Sequence, residues 1–260
     1  MRIEVDDLSV SYSAGLFARR PPTRALDGVT LSIPSGCTMG IVGESGSGKS
    51  TLGRVLLRML APSGGRVAVD GRDPYALEGE ALSGFRRRVQ AVFQDSGASL
   101  NPRQSVGASI REGLDIHRIG SPQERKAKVL ELLDKVGLAP DYQHRLPHTL
   151  SGGQRQRINI ARALALAPAV LIADEPVSAL DTSVQAQILE LLAALRQATG
   201  LTMVFISHDL GVVRELCDRV AIMHRGRLVE EGDIDAVFDH PRHAVTQALL
   251  RDRPTIELPD

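Results

Sequence analysis

The segment GESGSGKST, from Gly43 to Thr51, has the residue types and spacing of a loop that binds phosphate groups. It fits the pattern G-x-x-x-x-G-K-[ST], with the apolar run TMGIV before it and the helix-like run STLGRVLLRML after it. Glycines let a backbone curl around anionic oxygens, and the amide groups and dipole at a helix start attract those oxygens. The segment therefore predicts a nucleotide phosphate site, against the alternative of a glycine-rich turn that binds nothing.

Two residues of this loop carry particular chemistry. Lys49 is expected to reach the outer phosphates, and Ser50 to ligate Mg²⁺. The expected nucleotide contacts in the loop are Gly43, Glu44, Ser45, Gly46, Ser47, Gly48, Lys49, Ser50 and Thr51.

An acidic pair, Asp174 and Glu175, closes the apolar run AVLIADE. Ligands of open α/β sheets bind beyond the carboxyl ends of the strands, which is where such a pair would lie. Asp174 is expected to hold Mg²⁺, directly or through water, and Glu175 to orient or deprotonate the attacking water. Adjacent acids at a strand end are often only solvated, but a phosphate loop in the same chain favours the functional interpretation.

Two further polar residues end apolar runs: Gln94 closes VQAVFQ, and His208 follows MVFIS. A histidine at a strand end is more often structural than catalytic. With a phosphate loop and two acids expected at the same sheet edge, His208 becomes a candidate contact for the γ-phosphate. Gln94 by itself indicates little.

The segment LSGGQRQRINIARAL, from Leu150 to Leu164, has the features of a second phosphate-binding helix start. Ser151 is a typical N-cap residue, two glycines follow it, and a long helix is predicted after them. A glycine-rich cap bonded only within its own chain would account for Ser151 but leaves the paired glycines unexplained.

The elements that must position these residues alternate along the chain. Runs rich in Val and Ile alternate with helical patterns, and the central runs are continuously apolar, as in a parallel sheet covered on both faces. This predicts an α/β fold with a mostly parallel sheet. From about Ser96 to Ala167 no convincing strand pattern occurs. There, SPQE from Ser121 is typical of a capping box that opens a helix ended by Gly137, which predicts an inserted helical subdomain.

The composition argues against several classes of function. Lys+Arg 31 and Asp+Glu 31 balance to a formal net charge of +0, so a general electrostatic grip on nucleic acid is not indicated. Cys37 and Cys217 are predicted to be buried apolar side chains in a reducing compartment, with a disulfide as the alternative. The N-terminus lacks an apolar signal region, and no window approaches the roughly 18 apolar residues of a spanning helix. The chain is therefore expected in the cytoplasm unless a partner takes it to a membrane.

Taken together, these segments resemble the ATP-binding subunit of an ABC transporter over nearly the whole chain. GESGSGKST resembles the Walker A motif, VLIADE the Walker B motif, LSGGQ the signature motif and SALD (Ser178–Asp181) the D-loop. Gln94 matches the Q-loop and His208 the switch histidine. The order and spacing of all these motifs agree with the family.

The resemblance implies a fold and a set of boundaries. The expected fold is a RecA-like P-loop NTPase core with a mostly parallel sheet, an N-terminal antiparallel β-subdomain and an inserted α-helical subdomain. A single ABC ATPase domain would span residues 1–260. Its nucleotide-binding core would comprise 1–95 and 168–229, its helical subdomain with the signature motif 96–167, and its C-terminal extension 230–260.

The resemblance also implies a divided site for ATP and Mg²⁺. In this family two such subunits stack head to tail, so Ser151, Gly152 and Gly153 would serve the ATP of a second ATPase subunit, either the same chain or a paralogous one. Tyr12 is the candidate for stacking on adenine, with an ordinary surface tyrosine as the alternative.

The remaining roles also follow from the resemblance. Catalysis would fall to Lys49, Glu175 and His208, and the Mg²⁺ ligands would be Ser50, Gln94 and Asp174. The cofactor contacts outside the Walker A loop would be Tyr12, Gln94, Ser151, Gly152, Gly153, Gln154 and Asp181.

Several segments resemble importer subunits for oligopeptides, dipeptides or nickel: the insertion Gly15–Arg24, FQDSGASLNPR after the Q-loop, and the C-terminal HPRHAVTQALL. The last departs from the His-Pro-Tyr-Thr pattern of those subunits, because the residues 242–245 intervene before Thr246. Some relatives carry an iron–sulfur cluster on cysteines near the C-terminus. Cys217 stands alone there, so no cluster is expected.

The resemblance places the chain in an assembly at the cytoplasmic face of the inner or plasma membrane. The segment from Gln94 to about Ile110 would meet one of two integral membrane permease subunits. An extracytoplasmic solute-binding protein would be an indirect partner. No nucleic-acid partner is expected.

Two alternatives belong to other classes of protein. Non-transport ABC ATPases act on nucleic acid or the ribosome, but those generally have two nucleotide domains, long coiled-coil insertions or basic faces. An unrelated P-loop kinase would need an acceptor site or lid, which no segment resembles, and it would leave LSGGQ unexplained.

Overall fold

The computed structural model describes residues 1–12, 23–94 and 99–251. Most of the insertion Gly15–Arg24, the centre of FQDSGASLNPR and the end of the C-terminal extension lie outside the described residues. The chain divides into two compact units. Unit one comprises Met1 and Asp73–Val204, and unit two comprises Arg2–Arg72 and Phe205–Asp260. The predicted boundaries at 95, 167 and 229 are not those of the units, and they stay a prediction.

Strands and helices alternate as predicted for an α/β fold. The strands of the described residues are β1 (Ile3–Tyr12), β2 (Thr23–Ile33), β3 (Thr38–Val42), β4 (Gly64–Val69), β5 (Val89–Val92), β6 (Val170–Asp174), β7 (Thr202–Ser207), β8 (Arg219–His224) and β9 (Arg227–Asp233). The helices are α1 (Lys49–Leu56), α2 (Gly79–Arg88), α3 (Val106–Ile116), α4 (Pro122–Lys135), α5 (Gly152–Leu164), α6 (Thr182–Thr199), α7 (Leu210–Leu216), α8 (Ile234–Asp239) and α9 (Ala244–Arg251). Short 3₁₀ turns occur at Pro74–Ala76, Pro140–His144 and Pro147–Thr149.

An antiparallel sheet with strand order β2-β1-β4 forms the N-terminal part of unit two. Ile3 of β1 pairs with Ile33 of β2 on one side and with Val69 of β4 on the other. Side chains of β1 alternate between buried and more exposed over part of the strand, with Ile3, Val5, Leu8 and Val10 in the core. The expected N-terminal antiparallel β-subdomain is therefore confirmed.

The strand before the phosphate loop, β3, lies in unit two but in a different sheet from β1, β2 and β4. β3 pairs in parallel with β8, and all its residues are buried, as expected for a strand covered on both faces. β8 and β9 form an antiparallel hairpin around Arg225 and Gly226, whose φ values of 48° and 82° suit a tight two-residue turn. The Val- and Ile-bearing segment RVAIMHRGRLVEEG thus contains two strands.

Unit one contains the parallel pair β5–β6 and a group of helices between those two strands. The described residues from 93 to 169 contain no strand, which agrees with the predicted helical insertion. The capping box before α4 is confirmed: Ser121 and Glu124 each bond the other's backbone N–H. Gly137, with a φ of 68°, follows the end of that helix.

Two further expectations concern the core and the membrane. Cys37 and Cys217 are buried thiols that form no disulfide, which confirms the packing interpretation.

Within residues 1–12, 23–94 and 99–251, each helix is either too short or too polar to cross a bilayer.

Candidate nucleotide site

The phosphate loop lies between β3 and α1 in unit two, and two of its glycines have no room for a side chain. A Cβ atom on Gly43 would lie 2.1 Å from the carbonyl oxygen of Met223. A Cβ atom on Gly48, whose φ is 106°, would lie 2.5 Å from the carbonyl oxygen of Ala25. Gly48 is also the N-cap of α1, so the helix starts directly from the loop. Any other residue at these two positions would force the loop out of this shape.

Lys49 is the first residue of α1, and its side chain turns back onto the loop. Its Nζ atom donates to the carbonyl oxygens of Gly43 at 2.7 Å and Glu44 at 2.8 Å. The residue is only 6% exposed. Burying an ammonium group is unfavourable without such partners, so the two carbonyls hold a positive charge inside the loop.

Ser47 supplies a test of whether this loop fits a phosphate. Its hydroxyl is buried and has no hydrogen-bond partner among the described residues. Its backbone is held on both sides. Its N–H donates to the carbonyl oxygen of Glu44, and its carbonyl oxygen accepts from the N–H of Gly226 at 2.9 Å. Buried polar atoms in native proteins are nearly always satisfied, so an unsatisfied one marks a place for a ligand or water. The loop therefore fits an anionic group.

Tyr12 and Thr51 are brought together in unit two. The hydroxyl oxygen of Tyr12 lies 3.5 Å from Oγ1 of Thr51, in the first turn of α1. Tyr12 is 41% exposed. The predicted adenine-stacking residue thus lies beside the predicted phosphate loop.

His208 immediately follows β7 and is exposed. The residues on either side fix its backbone: the N–H of Asp209 donates to the hydroxyl of Ser207 at 3.0 Å, and Asp209 caps α7 by accepting from Gly211 at 2.8 Å. The histidine is therefore held between a strand end and a capped helix.

The acidic pair and the Q-loop glutamine lie in unit one, at the same end of two paired strands. Asp174 is the last residue of β6, and Glu175 follows it. Gln94 is exposed and lies just beyond β5, whose Val92 pairs with Ala173. These parallel strands bring all three polar residues to their carboxyl ends, as predicted.

Glu175 adopts a backbone conformation that is uncommon for a residue with a side chain, with a φ of 48°. Its carbonyl oxygen accepts from the N–H of Ser178 at 3.4 Å and from the hydroxyl of Ser178 at 3.2 Å. Such conformations are retained where the surroundings enforce them, and they cluster at functional sites. The contribution of Ser178 is not visible in the sequence.

The signature segment starts α5 in unit one. Ser151 is the N-cap: its hydroxyl accepts from the N–H of Gln154 at 3.3 Å, and the Gln154 side chain accepts from the N–H of Ser151 at 3.0 Å. Gln154 also donates to the hydroxyl of Tyr142 at 2.9 Å. The predicted capping role of Ser151 is confirmed, and Gln154 is engaged within its own chain.

The paired glycines of this segment have neighbours in the same chain. A Cβ atom on Gly153 would lie 2.4 Å from Cγ1 of Val184, and one on Gly152 would lie 3.3 Å from Cδ2 of Leu180. The expectation that a cap bonded within its own chain leaves both glycines unexplained is therefore wrong for Gly153. Close packing against α6 requires a glycine at that position.

Asp181 ends the SALD segment and caps α6. Its Oδ1 accepts from the N–H of Val184 at 3.0 Å and from the hydroxyl of Ser183 at 2.9 Å. The backbone bond from Val184, and then the bond from Ser183, lower the pKa of the Asp181 carboxyl below its ordinary value. Asp181, which is predicted to contact the nucleotide, thus also caps α6.

The predicted Mg²⁺ ligands offer only oxygen donors, from Ser50, Gln94 and Asp174. Magnesium prefers such donors and takes one or two carboxylates, with phosphate and water completing its shell. Clusters of three or more His, Cys, Asp or Glu suited to a metal do not occur in the described part of the chain. The three predicted ligands are therefore of the chemical type that Mg²⁺ accepts.

Comparison with known proteins gives a consistent result. The ABC transporter family profile matches residues 26–178. The dipeptide transport ATP-binding protein DppF of Escherichia coli is 47% identical over 260 residues, covering 99% of this chain and 78% of its own length. The oligopeptide transport ATP-binding proteins OppF of Streptococcus mutans and AppF of Bacillus subtilis are 46% and 49% identical, covering 95% and 93% of this chain and 80% and 74% of their own lengths.

Solved structures agree with the sequence relatives. A dimeric structure of a post-hydrolysis state of the ATP-binding cassette MJ0796, bound to ADP and Pi, matches with a TM-score of 0.80 and 31% identity. The match covers 89% of this chain and 98% of that one. The predicted fold class is confirmed by this likeness. The matched profile and the identity to the transport ATP-binding proteins show that the chain belongs to the ABC transporter family.

Proposed function

We propose that this chain is the ATP-hydrolysing subunit of an importer that takes up peptides. The observation that carries the ATP part is the phosphate loop: two glycines without room for a side chain, a buried Lys49 amine, and a buried Ser47 hydroxyl that none of the described residues bonds. The relatives named for oligopeptide and dipeptide transport support the peptide part. Those names do not favour the alternative of an ATPase acting on nucleic acid or the ribosome.

Each predicted residue has a role in the proposed reaction. Gly43–Thr51 bind the phosphates through backbone N–H groups, and Lys49 places positive charge beside the outer ones. Tyr12 stacks on adenine. Glu175 orients or deprotonates the attacking water, and His208 contacts the γ-phosphate. Asp174, Ser50 and Gln94 would hold Mg²⁺, which when bound neutralises charge on the phosphates.

We further propose that two ATPase subunits, identical or paralogous, bind ATP between them head to tail. The structural neighbours titled as dimeric cassettes support this arrangement. Ser151, Gly152 and Gly153 of one chain, with Gln154 and Asp181, would complete the site of the other. ATP then joins the two halves, and hydrolysis releases them, so that phosphate chemistry drives a motion.

The assembly would place the chain at the cytoplasmic face of the membrane, with two permease subunits and, indirectly, an extracytoplasmic solute-binding protein. The stretch from Gln94 to Ile110 would contact the permease. In this proposal, residues 1–95 and 168–229 form the nucleotide-binding core, 96–167 the helical subdomain, and 230–260 a C-terminal extension.

The central test is the dependence of ATP hydrolysis on protein concentration. The specific activity of the purified chain, or of the chain mixed with its paralogous subunit, should rise with concentration, because each active site needs two molecules. Addition of vesicles containing the permease subunits should raise the activity further. A specific activity that is constant over a hundredfold dilution with no companion present would refute the divided site.

A further inference from the structure

The starts of α5 and α6 lie against each other in unit one, and a glycine makes their close approach possible. A Cβ atom on Gly153 would lie 2.4 Å from Cγ1 of Val184. Carbon atoms in contact are ordinarily about 3.5–4.0 Å apart, so a methyl group here would displace one helix start by roughly 1 Å. Gly153 does not have a positive φ, so the need for glycine is one of space and not of backbone conformation.

Val184 has little freedom to move aside. A β-branched side chain in a helix has one strongly preferred rotamer. The N–H of Val184 donates to the capping carboxylate of Asp181 at 3.0 Å. Its neighbour Gln185 donates through Nε2 to the carbonyl oxygens of Val177 at 3.1 Å and Leu180 at 3.0 Å. The first turn of α6 is therefore fastened to the segment that precedes it.

That segment leads back to the proposed catalytic carboxylate. Ser178 donates to the carbonyl oxygen of Glu175 with both its N–H and its hydroxyl. Leu180, two residues further on, lies 3.3 Å from where a Cβ atom on Gly152 would be, and Val184 lies 2.4 Å from where one on Gly153 would be. A continuous series of contacts thus connects Glu175 to both glycines of the signature segment.

Resting on the proposed function, we infer that Val184 is a positioning residue for the signature turn. Its γ-methyl group sets where Ser151, Gly152 and Gly153 lie, and hence how they meet the nucleotide of the partner. The start of α6 is also fastened to the segment after Glu175. A shift of Glu175, the proposed water-orienting residue, should therefore move the signature segment that the chain presents to the partner's ATP.

The test is a rescue experiment with the full-length chain. Gly153→Ala should lower ATP hydrolysis about 100-fold, since a displacement of about 1 Å has that order of effect on catalysis. The added change Val184→Ala removes the obstructing methyl group. The double variant should hydrolyse ATP about tenfold faster, or more, than Gly153→Ala alone. ATP binding by the isolated subunit should be the same in all variants, because its own phosphate loop is unchanged.

A matched control is Gly153→Ala combined with Gln187→Ala. Gln187 lies one turn further along α6 and accepts from Arg157 of α5 at 2.8 Å, so this change removes a different contact between the same helices. It should restore no activity. Thermal unfolding of all variants measures the packing independently of hydrolysis, and the rescue should be visible there too.

The outcomes separate the inference from the function on which it rests. If the wild type hydrolyses ATP and the double variant is as inactive as Gly153→Ala, the methyl group acts on something other than Val184, and the inference is wrong. Recovery of the unfolding temperature without recovery of hydrolysis would also overturn it, because the contact would then be structural only. A wild-type chain that does not hydrolyse ATP even with its transporter subunits refutes the proposed function, and the inference with it.

Discussion

The Nζ atom of Lys49 lies 2.7 Å from the carbonyl oxygen of Gly43, the residue that opens the phosphate loop. A second bond of 2.8 Å joins it to the carbonyl oxygen of Glu44. The amine is therefore oriented by the loop itself, next to the backbone that would surround a phosphate. A charge that is already in place costs little reorganisation when an anion arrives, which favours tight binding.

Replacing Lys49 with alanine should weaken ATP binding by the isolated chain about 10- to 100-fold. Hydrogen bonds to charged groups contribute about 1.5–3 kcal/mol, and each 1.4 kcal/mol is about tenfold in affinity. Calorimetric titration of the chain with ATP measures the change. Lys128→Ala is the control, because Lys128 pairs with Glu131 on α4, far along the chain from the loop. Equal affinities for Lys49→Ala and the wild type would contradict the role assigned to Lys49.

Glu175→Gln should bind ATP, stop turnover and accumulate a dimer. Glutamine keeps the size and the backbone position of the glutamate but is not a base, so hydrolysis should fall about 10²- to 10⁴-fold. Light scattering with and without ATP measures the dimer. Glu190→Gln, an exposed change on α6, should leave both properties unaltered. Full hydrolysis by Glu175→Gln would show that another group activates the water.

Ser151→Arg should leave ATP binding by the isolated subunit largely intact yet abolish hydrolysis, because the large cation lies on the surface offered to the partner. Ser151→Ala is the necessary companion. It removes the cap on Gln154, at a cost of about 1 kcal/mol in stability, together with the hydroxyl proposed to face the partner's nucleotide, but it adds no bulk or charge, so hydrolysis should fall less than in Ser151→Arg. Loss of ATP binding by Ser151→Arg alone would mean that the serine serves its own chain's nucleotide.

Asp181 should make the stability of the chain depend on pH at the acidic end. Its pKa is lowered in the folded state by the N–H of Val184 and then by the hydroxyl of Ser183. The capping contribution is therefore fully present above the unfolded pKa of about 3.9 and is lost as the pH falls through the lower folded value. Urea unfolding of the wild type and of Asp181→Ala should differ at pH 7 and converge in strong acid. A difference that is the same at both pH values would exclude this charged cap.

Arg103→Ala should uncouple transport from ATP binding in the assembled transporter. Arg103 is exposed, in the stretch proposed to meet the permease. Arginines at the centre of an interface typically contribute about 2 kcal/mol or more, so solute uptake into vesicles should fall about 30-fold or more. Arg66→Ala is the control, because Arg66 is an exposed residue of the N-terminal sheet that pairs with Asp6. Unchanged uptake by the Arg103 variant would remove this residue from the contact.

Patterns local in sequence predicted much of the fold. The SPQE segment is the capping box of α4, and Ser151 caps α5. Each of these caps is formed by residues within a few positions of one another, so a short stretch of sequence is enough to predict it. The phosphate loop was equally visible, because its glycines and Lys49 are fixed by spacing.

Other features of the fold leave little or no signal in the sequence. The pattern at β4 is weak because its first three residues are exposed and two of them are glycines. The turn at Arg225 and Gly226 is too short to interrupt the apolar run around it. The pairing of Gly153 with Val184 leaves no signal in sequence, since a valine in the first turn of a helix is unremarkable until its neighbour is known.

The turn at Gly226 has a consequence for the order of events during synthesis. Its carbonyl oxygen accepts from the N–H of Asp27, and its own N–H donates to the carbonyl oxygen of Ser47, both at 2.9 Å. The ribosome makes Gly226 long after Ser47, a delay of roughly ten seconds or more at 5–20 residues per second. A growing chain thus acquires its finished phosphate loop late, and the stabilising effect of cellular ATP reaches only chains that have folded this hairpin back onto their first third.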